Sequence, residues 1–236
     1  HCAILEQPIL HKEFVVKPEP PSDRPTYFRT KEGKAEMELW KARNKGRDIV
    51  KADDMDKAMA MVAALQTKDR SRFWLWDADG VNEQAYQWEV EVPDFTRPVL
   101  CRGKMDRVVT VDGKKYIVDY KSTAKTPTVG TFGRTVGEYL YHAQLAFYAD
   151  GEGADGAVIV AQETQAPYDS AVFMLNEDLL DDGRRIYATA LQRYADCVLN
   201  HKTETPDREV QAWPGLPEQQ EIGLGNLGGW AERSFG

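Results

Sequence analysis

Apolar positions keep a helical spacing from residue 31 to 77, shift to the alternation and short runs of strands from 84 to 122, and mix the two periods beyond 138. The first stretch predicts a charged helix over 31–44 with Met37 and Trp40 at helical spacing. A second helix follows, capped by Asp53 and Asp54 and striped by Ala58, Met61, Val62 and Leu65; a third over 67–77 carries Phe73, Trp74 and Trp76. The methionine stripe reads as core packing. The three aromatics read as buried anchors of a helical layer in preference to a base-stacking platform. Ahead of them, residues 1–6 read as the end of a helix, 13–16 as a short strand and 18–25 as a loop. Strands over 84–92, 99–111 and 115–122 form an antiparallel meander. Then come a Thr/Gly-rich loop over 123–137, a helix over 138–148, and a strand over 156–162 that returns as in a β-α-β crossover. A strand over 170–175 and a long helix over 176–199, striped by Leu180, Tyr187, Leu191, Tyr194 and Val198, complete an α/β domain. Residues 201–236, rich in Gly, Pro, Glu and Gln, read as a loosely packed tail.

The second hairpin of the meander carries the chemistry. In the run Gly103-Lys-Met-Asp106-Arg107-Val-Val-Thr-Val-Asp112-Gly113-Lys-Lys-Tyr-Ile-Val-Asp119-Tyr120-Lys121-Ser122, Asp112-Gly113 supplies the residues a tight turn needs at positive φ. Side chains at i and i+2 of a strand share a face, so Asp119 and Lys121 project together, and pairing about the turn can bring Asp106 opposite Asp119. Tyr116, Ile117, Val118 and Tyr120 make the second strand apolar on both sides of Asp119, as in a buried central strand, where a charge is costly unless paired or metal-bound. Two such carboxylates raise one another's pKa unless a cation lies between them, and hard oxygen ligands suit Mg²⁺ or Mn²⁺. The lysine can then orient or deprotonate an attacking water, or neutralise charge developing on a phosphate. An Asp-x-Lys on a strand is by itself usually a solvated pair; the apolar neighbours argue otherwise.

Gly-x-x-Asp106 followed by Asp119-x-Lys121 resembles the core of the PD-(D/E)XK nucleases, and Gln144-Leu-Ala-Phe-Tyr148 resembles the Gln-x-x-x-Tyr element of their RecB-type branch. The opening His1-Cys-Ala-Ile-Leu-Glu6-Gln-Pro8 is similar to the His-x-x-Leu-Leu-Glu-Pro segment of the RecE group of phage and prophage exonucleases. Glu83-Gln-Ala-Tyr-Gln-Trp88, Cys101-Arg-Gly-Lys-Met-Asp106, Ala161-Gln-Glu163-Thr-Gln-Ala-Pro167-Tyr168 and Tyr194-Ala-Asp-Cys197 match in the right order. The resemblance implies a three-layer restriction-endonuclease-like core, a mixed central sheet flanked by helices, as one nuclease domain over 1–200. It implies that His1, Asp106, Asp119 and the backbone carbonyl of Tyr120 hold Mg²⁺, for which Mn²⁺ can substitute, and that Lys121 is the catalytic lysine. Gln144 and Tyr148 would support the site or touch the DNA backbone, and Glu83 matches an acidic position of less defined role. The group has a Gly-Thr-Ala-type lead-in before its histidine, so a chain beginning at His1 is expected to be a fragment with that ligand at a frayed end. Trp213-Pro-Gly-Leu is similar to a C-terminal element of the group and is read as docking the tail.

Composition narrows the reading. The 236 residues, 42% hydrophobic, suffice for one sizeable core, and no apolar run approaches membrane-spanning length. Three cysteines, Cys2, Cys101 and Cys197, are too few and too dispersed for a disulfide framework or for the iron-sulfur cluster of some RecB-type enzymes, and are read as reduced thiols in a bacterial host cytoplasm. A net charge of −8 argues against general coating of nucleic acid. Between Cys101 and Arg134, however, eight basic residues (Arg102, Lys104, Arg107, Lys114, Lys115, Lys121, Lys125, Arg134) face three acidic ones, which reads as a positive field around the site. Lys125 and Arg134 make the 123–137 loop a candidate DNA-backbone clamp, with an ordinary connection an equal alternative. His142 adjoins Gln144 but lies off its helix face, so His1 alone of the histidines is nominated.

The function expected is a Mg²⁺-dependent exodeoxyribonuclease acting on ends of linear double-stranded DNA. By the resemblance it runs 5′ to 3′ in phage-type recombination, serves a single-strand annealing protein, and acts as a ring-shaped homo-oligomer. The alternatives are a structure-specific or restriction-type endonuclease and a non-catalytic DNA-binding module. A carboxylate-pair glycosidase has no role for Lys121.

Overall fold

The computed structural model describes residues 1–204, the last five by backbone alone. The chain divides into two compact units, His1–Gln192 and Arg193–Gly236. Five strands form the central sheet of the first unit: β3 (Asp79–Val90), β4 (Val99–Val111), β5 (Lys114–Thr123), β6 (Gly156–Glu163) and β7 (Ser170–Met174), side by side in that order. The β3–β4, β4–β5 and β6–β7 pairs are antiparallel and β5–β6 is parallel, so the sheet is mixed, as expected. Short strands β1 (Phe14–Val16) and β2 (Asp48–Val50) pair separately, in parallel.

Strand alternation sends the two faces of the sheet into two cores. Val109, Val118, Tyr120, Val158 and Val160 pack on Ile4 and Leu5 of α1 (Cys2–Leu5), on Val62 and Leu65 of α4 (Ala52–Gln66), and on Leu75. Ile117, Ala157, Ile159 and Ala161 pack on Phe132 and Val136 of α6 (Val129–Glu138), on Leu145 and Ala149 of α7 (Tyr141–Glu152), and on Leu180 of α8 (Glu177–Glu204). Every residue of β6 is buried, which fits the centre of a three-layer α/β fold. The remaining α-helices among the described residues are α2 (Leu10–Glu13), α3 (Lys31–Arg43) and α5 (Asp69–Arg72).

Several elements depart from the pattern-based reading. The loop expected over 123–137 is largely helix α6. Thr128 Oγ1 accepts from the Thr131 N–H and Thr131 Oγ1 from the Thr128 N–H, a capping box, while Phe132 and Val136 are buried one turn apart. The helix expected over 138–148 is broken at Tyr139–Leu140, and α7 starts only at Tyr141. The third helix opens after Arg72 into one turn of π-helix, Phe73–Asp77. Lys51, not Asp53, is the N-cap of α4; Asp53 and Asp54 lie in its first turn, where carboxylates complement the helix dipole. Strand β3 begins at Asp79, ahead of the expected 84, and α8 continues to Glu204 through residues expected in the tail. The rest of that tail, with Trp213, lies outside the described residues. Among the described residues no helix is long and apolar enough to cross a membrane, and Cys2, Cys101 and Cys197 are free thiols.

Candidate active site

The Asp112-Gly113 turn takes φ of 51° and 76°, and the ladder it opens runs from Val111↔Lys114 to Arg107↔Val118. Beyond that pair β4 and β5 part, while β5 stays paired with β6 as far as Thr123. Asp106 stands at the fork. Its Oδ2 accepts the Tyr120 N–H at 2.9 Å, so a carboxylate takes the place of a ladder carbonyl and is fixed where the strands separate.

Asp119 and Lys121 share the other side of β5 with Ile117, toward α7. Asp119 is 2% exposed; its Oδ2 lies 2.7 Å from Lys121 Nζ, and no N–H among the described residues donates a well-directed hydrogen bond to that oxygen. The ammonium sits 4.8 Å from the centroid of the Tyr141 ring, a cation–π contact at the first turn of α7.

A second set of donors converges on Asp106. One ligand atom each from His1, Glu83 and Asp106 fall within 4.8 Å of one another, with His1 Nδ1 3.5 Å from Asp106 Oδ2. Glu83 reaches this point through a backbone exception: its φ of 53° is left-handed, and it is the position where the β3–β4 ladder skips between Asn82↔Arg107 and Gln84↔Met105. Lys104 Nζ holds the Glu83 carboxylate from outside at 2.5 Å.

His1 is held in place through the chain that follows it. The Arg107 guanidinium, 6% exposed, donates to the carbonyls of Trp74 and Ala78 and to Asn82 Oδ1. Asn82 Nδ2 donates to Leu5 O and Trp76 Nε1 to Ile4 O, so two side chains grip the carbonyl end of α1. The His1 ring rests edge-on against Tyr120, centroids 5.4 Å apart. Tyr120 is fixed in turn, its hydroxyl donating to Oε1 of the fully buried Gln162, whose Nε2 donates to Met61 O and Tyr168 O.

Burial dominates the electrostatics. It raises the Asp106 carboxyl above its ordinary range, against the opposing pull of the Tyr120 N–H and Lys121. It pushes Asp119 up to about 6, with Lys121 opposing the shift and Asp106 adding to it. The desolvated Asp106 carboxyl, Glu83 and the His1 imidazole form a mixed O/N donor set that suits a divalent cation, with Asp119 and its lysine beside it.

The sequence-derived candidates separate here. His1, Asp106 and Glu83 come together, and Asp119 and Lys121 lie beside them; Asp119 stands outside the three-residue donor cluster, held by Lys121. The backbone group of Tyr120 engaged at the site is its N–H. Gln144 Nε2 donates to the Tyr148 hydroxyl at 3.4 Å, and Tyr148 packs over Gly103, where an added Cβ would stand 2.6 Å from its ring; this accounts for the glycine of Gly-x-x-Asp. The positive field expected from eight basic residues is smaller. Arg107 is buried in backbone contacts, Lys104 pairs with Glu83, Lys115 with Glu152 and Lys121 with Asp119, while Arg102, Lys114, Lys125 and Arg134 make no ion pair among the described residues. Lys114 lies at the turn, far along the strand from Asp119. Arg134 lies on α6 and Lys125 ahead of it, so the clamp residues border a helix instead of riding a free loop. Trp74 lies edge-on to Tyr116 and Trp76 bonds α1, so these two half-buried rings act as anchors, whereas Phe73, 38% exposed, does not take the buried position expected of it. His142 is buried 3.1 Å from Asp182, away from these donors. Asn82, Arg107 and Tyr141 carry no motif signal; only their contacts single them out.

A family model described as a PDDEXK-like domain of unknown function (DUF3799) matches residues 1–211. Among solved structures, the protein SSO0001 is 14% identical, with 78% of this chain and 82% of that one covered and a TM-score of 0.35. A candidate exonuclease from Eubacterium rectale is 12% identical, with 86% of this chain and 75% of that one covered and a TM-score of 0.45. No curated protein matches the sequence.

Proposed function

The chain belongs to the PDDEXK-like family whose model spans residues 1–211, and on that premise we propose that it is a divalent-metal-dependent deoxyribonuclease degrading linear double-stranded DNA from its ends. The observation that carries the reading is the convergence of His1, Glu83 and Asp106 within 4.8 Å, beside a buried Asp119–Lys121 pair. His1, Glu83 and Asp106 would hold Mg²⁺ or Mn²⁺, with Asp119 and the Tyr120 carbonyl as further donors. Bound there, such an ion supplies Lewis-acid polarisation of a phosphate and a lowered pKa for water. Asp119 and the Tyr141 ring keep the Lys121 ammonium at the site. From there it balances charge building on the phosphate oxygens, or orients the attacking water. Arg134 and Lys125 stand ready for the DNA backbone, and binding is expected to weaken as salt rises.

The finer reading is that of a RecE-type exonuclease: 5′ to 3′ digestion in phage-type recombination, in a bacterial cytoplasm, by a ring of subunits supplying a 3′ overhang to an annealing protein. The order of the matching motifs supports it. The test is digestion of linear and covalently closed duplex with Mg²⁺ and with a chelator. Linear DNA should disappear, circles should survive, chelation should stop the reaction, and Lys121→Ala should bind duplex without digesting it. Cleavage of circles would make the enzyme an endonuclease. Wild-type digestion by Lys121→Ala would remove the lysine from the chemistry, and absence of both digestion and Mn²⁺ binding would leave a DNA-binding module.

A further inference from the structure

Two tyrosines beside the lysine have more order than the chemistry above requires. Residues two apart on a continuous helix lie about 200° around its axis and cannot stack. Between α6 and α7, Leu140 takes the left-handed φ of 55°, unfavourable for a bulky side chain, and brings the Tyr139 and Tyr141 rings together as a parallel stack, centroids 5.7 Å apart and planes 18° from parallel. Tyr141 is backed by the buried Phe132, which itself stacks on Phe173 at 5.1 Å. Lys121 Nζ lies 4.8 Å from the Tyr141 centroid. The outer ring, Tyr139, is 63% exposed, and Leu140 beside it in the chain is exposed as well.

An exposed aromatic ring, stacked on a second ring that contacts the reactive lysine, matches one chemistry: a planar base taken out of its duplex. We propose that the Tyr139–Tyr141 stack seats an unpaired nucleobase of the DNA strand being cleaved, and so holds its backbone for Lys121. The proposal rests on the nuclease reading and adds the state of the substrate at the site. Tyr139 lies within roughly three stacking steps of about 3.4 Å from the ammonium, so the seated base belongs to a nucleotide close to the scissile phosphate. Glu138 borders the stack and would repel a phosphate placed there, but a base presents its uncharged face. Stacking tolerates any base, as an enzyme working through arbitrary sequence requires.

The experiment uses duplexes with a short single-stranded end carrying 2-aminopurine at successive positions, in Ca²⁺ conditions under which a gel shows the DNA intact. Wild-type protein should quench fluorescence at one or two adjacent positions. Tyr139→Ala should abolish the quench and weaken binding to the unpaired end by about fivefold or more, Tyr139→Trp should retain both, and binding to closed circular duplex, which offers no unpaired end, should be unchanged. An undiminished quench and affinity in Tyr139→Ala, or bound DNA with no quenched position, overturns the platform while leaving the nuclease reading intact. Wild-type protein that neither binds nor digests DNA overturns both.

Discussion

Replacing Asn82 with alanine cuts the link between Arg107 and the carbonyl end of α1, without touching a proposed metal ligand. The change removes the bond from Asn82 Nδ2 to Leu5 O and the one Asn82 Oδ1 accepts from Arg107. A neutral hydrogen bond contributes about 1 kcal/mol net and one to a charged group about 1.5–3, so the expected loss is about 2.5–4 kcal/mol, read as a shifted denaturation midpoint in metal-free buffer. A domain of ordinary stability, about 5–15 kcal/mol, survives that loss folded. The functional effect is separate. With Trp76 the remaining side-chain donor to the α1 carbonyls among the described residues, and Ile4 and Leu5 still packed in the core, His1 is less well placed, and Mn²⁺ affinity measured by calorimetry should fall about 10–100-fold, the usual cost of losing a group that orients a ligand. A double-mutant cycle isolates the cause: in a His1→Ala background the Asn82 change should scarcely alter Mn²⁺ affinity, because the ligand it positions is already gone. Equal losses in both backgrounds, or full affinity in the destabilised single variant, would refute the idea that Asn82 acts through His1.

Gly103→Ala should displace Tyr148, since its Cβ would stand 2.6 Å from that ring, costing about 1–3 kcal/mol; an unchanged melting temperature would contradict the packing. Tyr120→Phe removes the donor to Gln162 Oε1, whose side chain is fully buried, and should cost about 1–3 kcal/mol in urea titration while leaving Mn²⁺ affinity within a few-fold. Mn²⁺ at a hundred times its dissociation constant should stabilise the native protein by about 2.7 kcal/mol, and Asp106→Ala should abolish that thermal shift. A shift that persists in the variant would place the ion elsewhere.

The sequence alone determined what local rules can carry. Asp112-Gly113 specified the turn because few other residues tolerate its two positive φ values, and the turn with the alternation around it delivered β4 at its observed limits and Asp119 on the same face as Lys121. The strand that became β6 was placed as a β-α-β return, and the apolar residues on both sides of Asp119 marked β5 as a buried strand. Helix α6 was hidden because Gly130, Gly133 and Gly137 lower its intrinsic helicity; it forms by burying Phe132 and Val136 against the sheet. The early start of β3 was hidden for a related reason, as its polar first half is a strand only because β4 is there to pair with it.

What only the tertiary structure decided is which charges meet and what each is worth. Eight basic residues in one stretch looked like a field for DNA, yet half are held by backbone or carboxylates, Arg107 most completely. Glu83 joins Asp106 through a backbone conformation that strand patterning does not foresee, and His1 arrives from the far end of the chain on a helix gripped by Asn82 and Trp76. The raised pKa of Asp119 exists because helices and strands distant in sequence exclude water from it. Periodicity records interactions between residues a few positions apart, whereas desolvation and convergence depend on contacts made only when the two faces of the sheet are closed.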